Sequence, residues 1–400
     1  MKTRIITEDI DAAADIISRG GLVAVPTETV YGLACNGLDE RAVRQVYEVK
    51  GRPEVKPLSL MVSGPEVFAQ YCVDIPRAAY FLAERFWPGP LTIVLKASEA
   101  IPPIVRAGGD TVALRCPDHK ATLALLKRVG LPLAAPSANP SGFPSPKTAQ
   151  EVISYFDGSV DAVIDGGECG IGKESTIIDL SSTPYRILRR GALPEDEIFS
   201  ALMDNVKKIG ITGGSGSGKT TALNVLAEMG VLTIDCDDVY HDLAASSSDM
   251  LSELEARFPG ALKDGTLQRK ALGELVFSDS SALIDLNAIT HRYVSAEVDR
   301  RLTHWAKMGG RFAAIDAIAL IEGGMARRCF AVVGVTAPRD MRIERLMARE
   351  GISREYAEKR IDAQKSDDFY YKKCDYILVN DGSLDEFRKI CEELFKKIIS

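Results

Sequence analysis

Residues 207–230 read KKIGITGGSGSGKTTALNVLAEMG, and this stretch decides the fold of the second half of the chain. Apolar residues in Lys207–Thr212 predict a strand, and the residues after Thr220 predict a helix. The loop between them, Gly213–Thr220, matches the pattern G-x-x-x-x-G-K-[ST]. With the further strand candidates VLTIDCDD, RFAAIDAIALIE, CFAVVGVTAP and CDYILVN, it predicts a doubly wound parallel α/β sheet.

The glycine loop has the composition that phosphate binding requires. Glycines let backbone N–H groups curl around phosphate oxygens, and the following helix directs its positive end at the same charge. We expect Lys219 to reach the β- and γ-phosphates of ATP and Thr220 to bind Mg²⁺. The residues expected to bind ATP are Gly214, Ser215, Gly216, Ser217, Gly218, Lys219, Thr220 and Thr221. A chance match is the competing interpretation, and the strand–loop–helix context disfavours it.

Acidic residues follow the next predicted strand, in the order Asp235-Cys236-Asp237-Asp238. Strand ends face the ligand crevice of a doubly wound sheet. A carboxylate there, for which we favour Asp237, could accept the proton of a hydroxyl that attacks the γ-phosphate. The alternative is a group of solvated acids that cap the following helix.

Three arginines recur at helical spacing in MRIERLMARE, namely Arg342, Arg345 and Arg349. They could form a lid that clamps the transferring phosphoryl group. Equally, they could be a solvated basic face paired with Glu344 and Glu350. No helicase signature and no GTPase base-reading NKxD occurs in the sequence, which leaves the small-molecule kinases.

The length and composition limit the classes of protein. A chain of 400 residues predicts two or three domains, and we place the join after the acidic segment LPEDEIFSALMDN, giving domains 1–204 and 205–400. The net charge of -7 argues against wholesale coating of nucleic acid. No apolar run is long enough for a membrane span, the N-terminus lacks a signal-peptide pattern, and the eight cysteines are scattered. We therefore expect a cytoplasmic protein without a membrane contact.

The first half alternates helical patterns with short apolar strands, and polar loops follow several of these strands. Four positive groups and several hydroxyls suit a phosphate-rich ligand together with a small carboxylate: Lys50, Arg52, Arg115 and Arg189, with Thr29, Ser137 and Ser175. The structural alternative is that the cations compensate helix ends and that Ser137-Ala138-Asn139 forms an ordinary turn.

The second half resembles the dephospho-CoA kinases across nearly all of residues 207–395. The matched segments include ITGGSGSGKTT, TIDCDDVYHDL, DGTLQRKALGELVFSD, LNAITH, AIALIEGG and RLMAREGISREYAEKRIDAQ. The resemblance implies transfer of the ATP γ-phosphate to the ribose 3′-hydroxyl of dephospho-CoA, with Asp237 as base and Lys219 in the phosphate loop. Arg269, His291 and Gln364 lie in the recurring segments, and Arg345 and Arg349 in the helical lid and substrate region. Arg292 stands where the family usually has proline.

The first half resembles the short YrdC-type threonylcarbamoyl-AMP synthases across roughly residues 10–195. PTETVYGLA, KGRPEVKPLSLMV, FWPGPLTIVL, ALRCPDH, APSANPSG, ESTIIDL and ILRRGA occur in the family's order. The resemblance implies a twisted mixed α/β sheet and the condensation of L-threonine, bicarbonate and ATP, with Mg²⁺ as the cofactor. Thr29, Arg115, Ser137 and Ser175 would line the threonine side, and Lys50, Arg52, Lys56, Asn139, Lys147 and Arg189 the ATP side. Met61 or a neighbour stands where many members have histidine near threonine.

The product would feed the tRNA threonylcarbamoyladenosine modification, with tRNA-modification proteins as downstream partners. The resemblance also allows a transient contact of the first half with double-stranded RNA or tRNA. The rival interpretations are an RNA-binding module in the first half, a nucleoside or nucleotide kinase in the second half, and a regulatory fusion with one inactive half.

Overall fold

The computed structural model describes residues 2–263, 265–277, 279–317 and 320–400. The chain divides into two compact units, Met1–Leu202 with Lys307–Gly309, and Met203–Ala306 with Gly310–Ser400. In the described part of the chain, no helix is both long enough and apolar enough to cross a membrane.

The first unit is built on one mixed sheet. Its strands are β1 (Arg4–Ile6), β2 (Val23–Val25), β3 (Gly32–Asn36), β4 (Ser59–Met61), β5 (Cys72–Val73), β6 (Leu91–Ala97), β7 (Thr111–Arg115), β8 (Leu133–Ala134), β9 (Ala162–Ile164), β10 (Thr176–Asp179) and β11 (Arg186–Arg189). The order is β1-β9-β2-β3-β8-β4-β7-β6-β10-β11, with β5 beside β6. The sheet contains both parallel pairs, such as β4–β7, and antiparallel pairs, such as β6–β7, so the predicted mixed sheet is confirmed.

Seven helices of the described part of the chain accompany this sheet. They are α1 (Ile10–Ser18), α2 (Glu40–Lys50), α3 (Phe68–Tyr71), α4 (Arg77–Phe86), α5 (Lys120–Val129), α6 (Ala149–Phe156) and α7 (Glu195–Asn205). Helix α2 begins after Asp39, which caps two backbone N–H groups, and it ends at Gly51 in the left-handed conformation. The sharp end of α2 places Lys50 and Arg52 beside the sheet edge.

The second unit contains a five-stranded sheet, in which all neighbouring strands are parallel, and a separate two-stranded ribbon. The strands are β12 (Lys207–Thr212), β13 (Leu232–Asp235), β14 (Leu262–Lys263), β15 (Thr266–Leu267), β16 (Phe312–Asp316), β17 (Ala331–Thr336) and β18 (Tyr376–Val379). The order of the main sheet is β13-β16-β12-β17-β18. Because β12 lies in the middle, its carboxyl end is at the centre of the edge where ligands bind.

The helices of the second unit are α8 (Lys219–Glu228), α9 (Cys236–Ser246), α10 (Ser248–Arg257), α11 (Arg269–Phe277), α12 (Ser280–Lys307), α13 (Arg339–Glu350), α14 (Arg354–Asp362), α15 (Asp367–Lys373) and α16 (Leu384–Ile399). Buried residues of α8 and α16 form a core with one face of the sheet. On the opposite face, Gly334 lies against Tyr370 and Cys374 at α15. The predicted doubly wound arrangement is therefore confirmed.

One predicted strand is wrong in part. The apolar run RFAAIDAIALIE suggests a strand that continues to Glu322, but β16 ends at Asp316 and residues 320–323 form a turn. Ile318 and Ala319 lie outside the described residues. Beyond Asp316 the chain lines a cavity instead, through Ala317, Gly323 and Gly324.

Candidate active sites

A cavity of about 270 Å³ lies in the first unit. Its polar lining brings together predicted residues that are far apart in sequence: Arg52, Arg115, Ser137, Ser175 and Arg189, with Glu174 among them. Three guanidinium groups that face one cavity provide planar donors for phosphate or carboxylate.

Arg115 is the last residue of β7 and is held in a fixed orientation. Its Nη2 donates to Glu28 Oε1 at 2.7 Å and to Thr29 Oγ1 at 2.8 Å, and its Nε donates to the carbonyl of Gly89 at 3.3 Å. The structure therefore places Thr29 and Arg115, two residues predicted for the threonine side, in direct contact. Because Arg115 is paired with a carboxylate on one edge, its remaining donor Nη1 can serve a ligand.

Ser175 and Arg189 are also in contact, although the family resemblance predicts them on different sides of the site. Arg189 donates from Nη2 to Ser175 Oγ at 3.1 Å and from Nη1 to Glu174 Oε2 at 2.6 Å. Ser175 Oγ is also 2.8 Å from Thr92 Oγ1. The two predicted subsites therefore meet at Ser175.

Lys50 lies at the end of α2 and binds backbone oxygens. Its Nζ donates to the carbonyls of Ser137 and Asn139. Burial and the nearby Arg52 lower the pKa of Lys50 to about 8, while Glu174 opposes that shift. The side-chain amide of Asn139 donates to the carbonyls of Pro140 and Phe143, which shapes its own loop.

The remaining residues predicted for the first site lie differently. Lys56 and Lys147 are exposed and do not line the cavity within the described residues. Met61, where the family resemblance leads one to expect histidine, is 5% exposed and does line the cavity. A thioether there offers a weak acceptor and no N–H donor.

In the second unit, the phosphate-binding loop lies between α13 and the residue that follows β18. A Cβ atom on Gly214 would be 2.1 Å from Arg342 Nη2, and one on Gly218 would be 2.2 Å from Asn380 Nδ2. Gly218 also has a φ of 111°, which disfavours other residues. A Cβ atom at either position would therefore force a neighbouring side chain to shift, and the φ of Gly218 adds a backbone reason for glycine.

Polar side chains hold this loop from outside. Arg342 donates from Nε to the carbonyl of Ser215 at 3.0 Å, and Arg345 donates to the carbonyl of Gly216 at 3.3 Å and to Asn380 Oδ1 at 3.1 Å. Gln364 Oε1 accepts the backbone N–H of Ser215 at 2.9 Å, and its Nε2 donates to Ser215 Oγ at 2.7 Å. The predicted arginine face therefore divides, because Arg349 pairs with Glu350 at the surface instead.

Carboxylates gather at the carboxyl ends of β13 and β16. Asp235 caps α9 by accepting the backbone N–H groups of Asp237 and Asp238. For this one acid, the alternative that the acids cap the following helix is therefore correct. The pKa of Asp237 is raised by desolvation and by Asp235, while Lys219 acts in the opposite direction. Burial raises the pKa of Asp316 to about 7, again opposed by Lys219. Lys219 thus shares an electrostatic environment with both carboxylates.

Asp316 was not among the site residues predicted from the sequence. It is the polar residue that ends an apolar strand, and this pattern could have identified it as a candidate. It is 6% exposed, and its Oδ1 has no hydrogen-bond partner in the described part of the chain. Ser217 Oγ and Thr336 Oγ1 are also buried and have no hydrogen-bond partner in the described part of the chain. Buried polar atoms without partners are costly, which makes these three atoms candidates for contact with a ligand.

A cavity of about 640 Å³ opens beside Asp237. Helices α9 and α12 supply most of its wall, including Asp237, Tyr240, Thr290 and His291. Asp237 and His291, both predicted site residues, therefore face the same space. Arg269 is exposed at the start of α11 and does not line this cavity.

The fold and these sites define the class of the protein: it has two α/β units, one with a phosphate-loop motif and a cavity beside Asp237, and the other with a cavity lined by three arginines. The family model of the YrdC-like proteins, described as "Telomere recombination", matches residues 15–191, and the model described as "Dephospho-CoA kinase" matches residues 207–386. The chain belongs to the threonylcarbamoyl-AMP synthase family through its first half and to the dephospho-CoA kinase family through its second half.

Three relatives illustrate the similarity. A threonylcarbamoyl-AMP synthase of Pyrococcus abyssi is 49% identical over 198 residues, which cover 50% of this chain and 58% of the relative. One of Halorhodospira halophila is 37% identical over 178 residues, covering 44% of this chain and 92% of the relative. A dephospho-CoA kinase of Corynebacterium glutamicum is 34% identical over 195 residues, covering 48% of this chain and 98% of the relative.

The match to the longer synthases is partial. The chain spans 58%, 56% and 50% of the relatives from Pyrococcus abyssi, Bacillus subtilis and Schizosaccharomyces pombe.

Proposed function

We propose that the chain is a bifunctional enzyme with domains 1–204 and 205–400. Its second domain transfers the γ-phosphate of ATP to the 3′-hydroxyl of dephospho-CoA. The observation that carries this assignment is the acceptor cavity beside Asp237, at the same sheet edge as Lys219 and the phosphate loop. A cavity of about 640 Å³ is large enough for much of a nucleotide-sized acceptor.

In the kinase reaction, Asp237 accepts the proton of the acceptor hydroxyl. The hydroxyl oxygen forms a bond to the γ-phosphorus, and the bond between that phosphorus and the β–γ bridging oxygen breaks, so ADP leaves. Lys219 and the backbone N–H groups of residues 214–221 stabilise the charge on the phosphates. The raised pKa of Asp237 strengthens it as a base.

The residues at this edge fit a magnesium ion. The Thr220 hydroxyl and the unpartnered Asp316 carboxylate are hard oxygen ligands of the kind that Mg²⁺ prefers. When bound with ATP, the ion would neutralise phosphate charge.

The first domain, in our proposal, condenses L-threonine, bicarbonate and ATP to threonylcarbamoyl-AMP and pyrophosphate. Bicarbonate supplies CO₂ with loss of hydroxide, and the threonine amine captures that CO₂ and gives up a proton, so that a carbamate and water form. A carbamate oxygen then attacks the α-phosphorus while the bond from that phosphorus to the pyrophosphate oxygen breaks. Arg115 and Ser175 would orient threonine, and Arg52 and Arg189 would stabilise the departing pyrophosphate. Three guanidinium groups around one cavity support this assignment.

The partners follow from this proposal. Threonylcarbamoyl-AMP would pass to tRNA-modification proteins, and the first domain could contact double-stranded RNA or tRNA transiently.

The test is to assay the purified chain with ATP, threonine and bicarbonate, and separately with ATP and dephospho-CoA. Threonine-dependent pyrophosphate release and CoA formation are the expected results. Phosphorylation of nucleoside monophosphates in preference to dephospho-CoA would overturn the kinase assignment. Salt-dependent RNA binding without pyrophosphate release would overturn the synthase assignment.

A further inference from the structure

Of the described residues that line the first-unit cavity, Glu174 is the one with an acidic side chain. Its Oε2 accepts Arg189 Nη1 at 2.6 Å, and its Oε1 accepts the Ser145 hydroxyl at 3.2 Å. A carboxylate in a cavity that must receive a triphosphate repels that ligand unless it has a compensating role.

The charge of Glu174 reaches three cations at once. Burial lowers the pKa values of Lys50, Arg52 and Arg189, and the charge of Glu174 raises all three. One carboxylate therefore compensates the desolvation of three positive groups in the ligand-free cavity. A phosphate group bound to the same cations would also compensate their desolvation.

Glu28, whose carboxylate pairs with Arg115, differs from Glu174 in its exposure and in its contacts. Its side chain is 14% exposed, and it accepts both Arg115 and the backbone N–H of Asp118 at 2.9 Å. Glu174 is 41% exposed and contacts one arginine and one hydroxyl through its side chain. Glu28 is thus fixed in its place, whereas Glu174 can turn toward solvent when another anion arrives.

We propose that Glu174 is an exchangeable counter-anion: in the ligand-free site it takes the place of a nucleotide phosphate group and then yields Arg189 to that phosphate. This inference rests on the proposed synthase function. Since a partly exposed ion pair is weak and an arginine–phosphate pair is strong, the exchange favours the nucleotide. When pyrophosphate has formed, the return of Glu174 to Arg189 helps its release.

The experiment uses the full chain with Lys219→Ala, because this substitution weakens phosphate binding in the second unit. Binding of inorganic pyrophosphate to this chain is measured by calorimetry. Adding Glu174→Gln should tighten binding by about fivefold, the factor expected when one partly exposed ion-pair competitor is lost. Glu195→Gln is the matched control, because Glu195 pairs with Arg190, which is 83% exposed and outside the cavity. That variant should leave the affinity unchanged.

Unchanged or weaker binding in Glu174→Gln overturns the inference. Measurements in EDTA and in magnesium add a second criterion, because weakening that occurs only with magnesium would make Glu174 a metal ligand. As a second measurement, the single variant Glu174→Gln should lower the pyrophosphate concentration that inhibits threonine-dependent threonylcarbamoyl-AMP formation. If the unaltered chain forms no threonylcarbamoyl-AMP, the proposed function fails, whereas the calorimetric comparison still decides the role of Glu174.

Discussion

Asp235 and Asp316 lie opposite each other in register at the carboxyl ends of the parallel strands β13 and β16. Asp235 satisfies the first N–H groups of α9, while Asp316 is buried with an unpartnered Oδ1 within the described residues. Burial raises the pKa of Asp316, Lys219 acts in the opposite direction, and the Asp235 carboxylate adds to the rise. The ionised form of Asp316 is therefore disfavoured at this edge of the sheet.

This arrangement predicts a stability gain for Asp316→Asn. The folded-state pKa of Asp316 is about 7, against 3.8 for an ordinary aspartate, so the folded chain keeps a proton that the unfolded chain loses. Stability therefore falls as pH rises from about 4 to 7. We expect the unfolding temperature of the kinase unit in the variant to exceed that of the unaltered chain at pH 8 and to match it more closely at pH 4.

The same variant should lose kinase activity, because it removes a carboxylate from the nucleotide site. Thermal unfolding at several pH values, followed together with CoA formation, measures both effects. Equal unfolding temperatures at pH 8 would contradict a raised pKa for Asp316.

Lys219→Ala should abolish CoA formation and leave threonine-dependent pyrophosphate release intact. The reason is that Lys219 contributes charge at the phosphate loop, whereas the first unit has its own cations. Parallel assays of the two reactions on one preparation provide the measurement. Loss of both activities in a folded variant would mean that the two sites are not independent.

Arg52→Ala should abolish pyrophosphate release and spare CoA formation. Arg52 lines the first cavity, and its Nη2 donates to the carbonyl of Pro57 at 3.0 Å, which orients the side chain. Arg190→Ala is the control, since Arg190 is 83% exposed and does not line that cavity. An unchanged rate in Arg52→Ala would show that the synthase site is misplaced.

The two arginines Arg345 and Arg349 should behave differently. Arg345→Ala removes donors to Gly216 and Asn380 and should lower kinase kcat/KM by about tenfold or more. Arg349→Ala removes a surface pair with Glu350, so it should leave kinase kcat/KM unchanged and change stability by no more than about 0.5 kcal/mol. Steady-state kinetics of the two variants measure the contrast. An equal loss of activity would indicate that Arg349 closes onto the substrate.

Much of the second unit was predictable because its signals are local. The glycine loop needs adjacent residues of a fixed type, so Gly214, Gly218 and Lys219 could be assigned from sequence alone. The end of α2 at Gly51 was also local, since it follows from backbone conformation. The strand predicted through Glu322 failed because an apolar run does not distinguish a strand from a cavity wall.

The sequence by itself determined two α/β units, the phosphate loop and the set of candidate cations. Only the tertiary structure decided which of those cations act together: Arg345 holds the phosphate loop while Arg349 does not, and Glu174 joins Arg189 in one cavity. It also revealed Asp316, whose unusual pKa arises from burial and from Asp235 and Asp237 at the same sheet edge. The physical reason is that desolvation and Coulomb interactions depend on distances between residues remote in the chain, which spacing along the sequence does not encode.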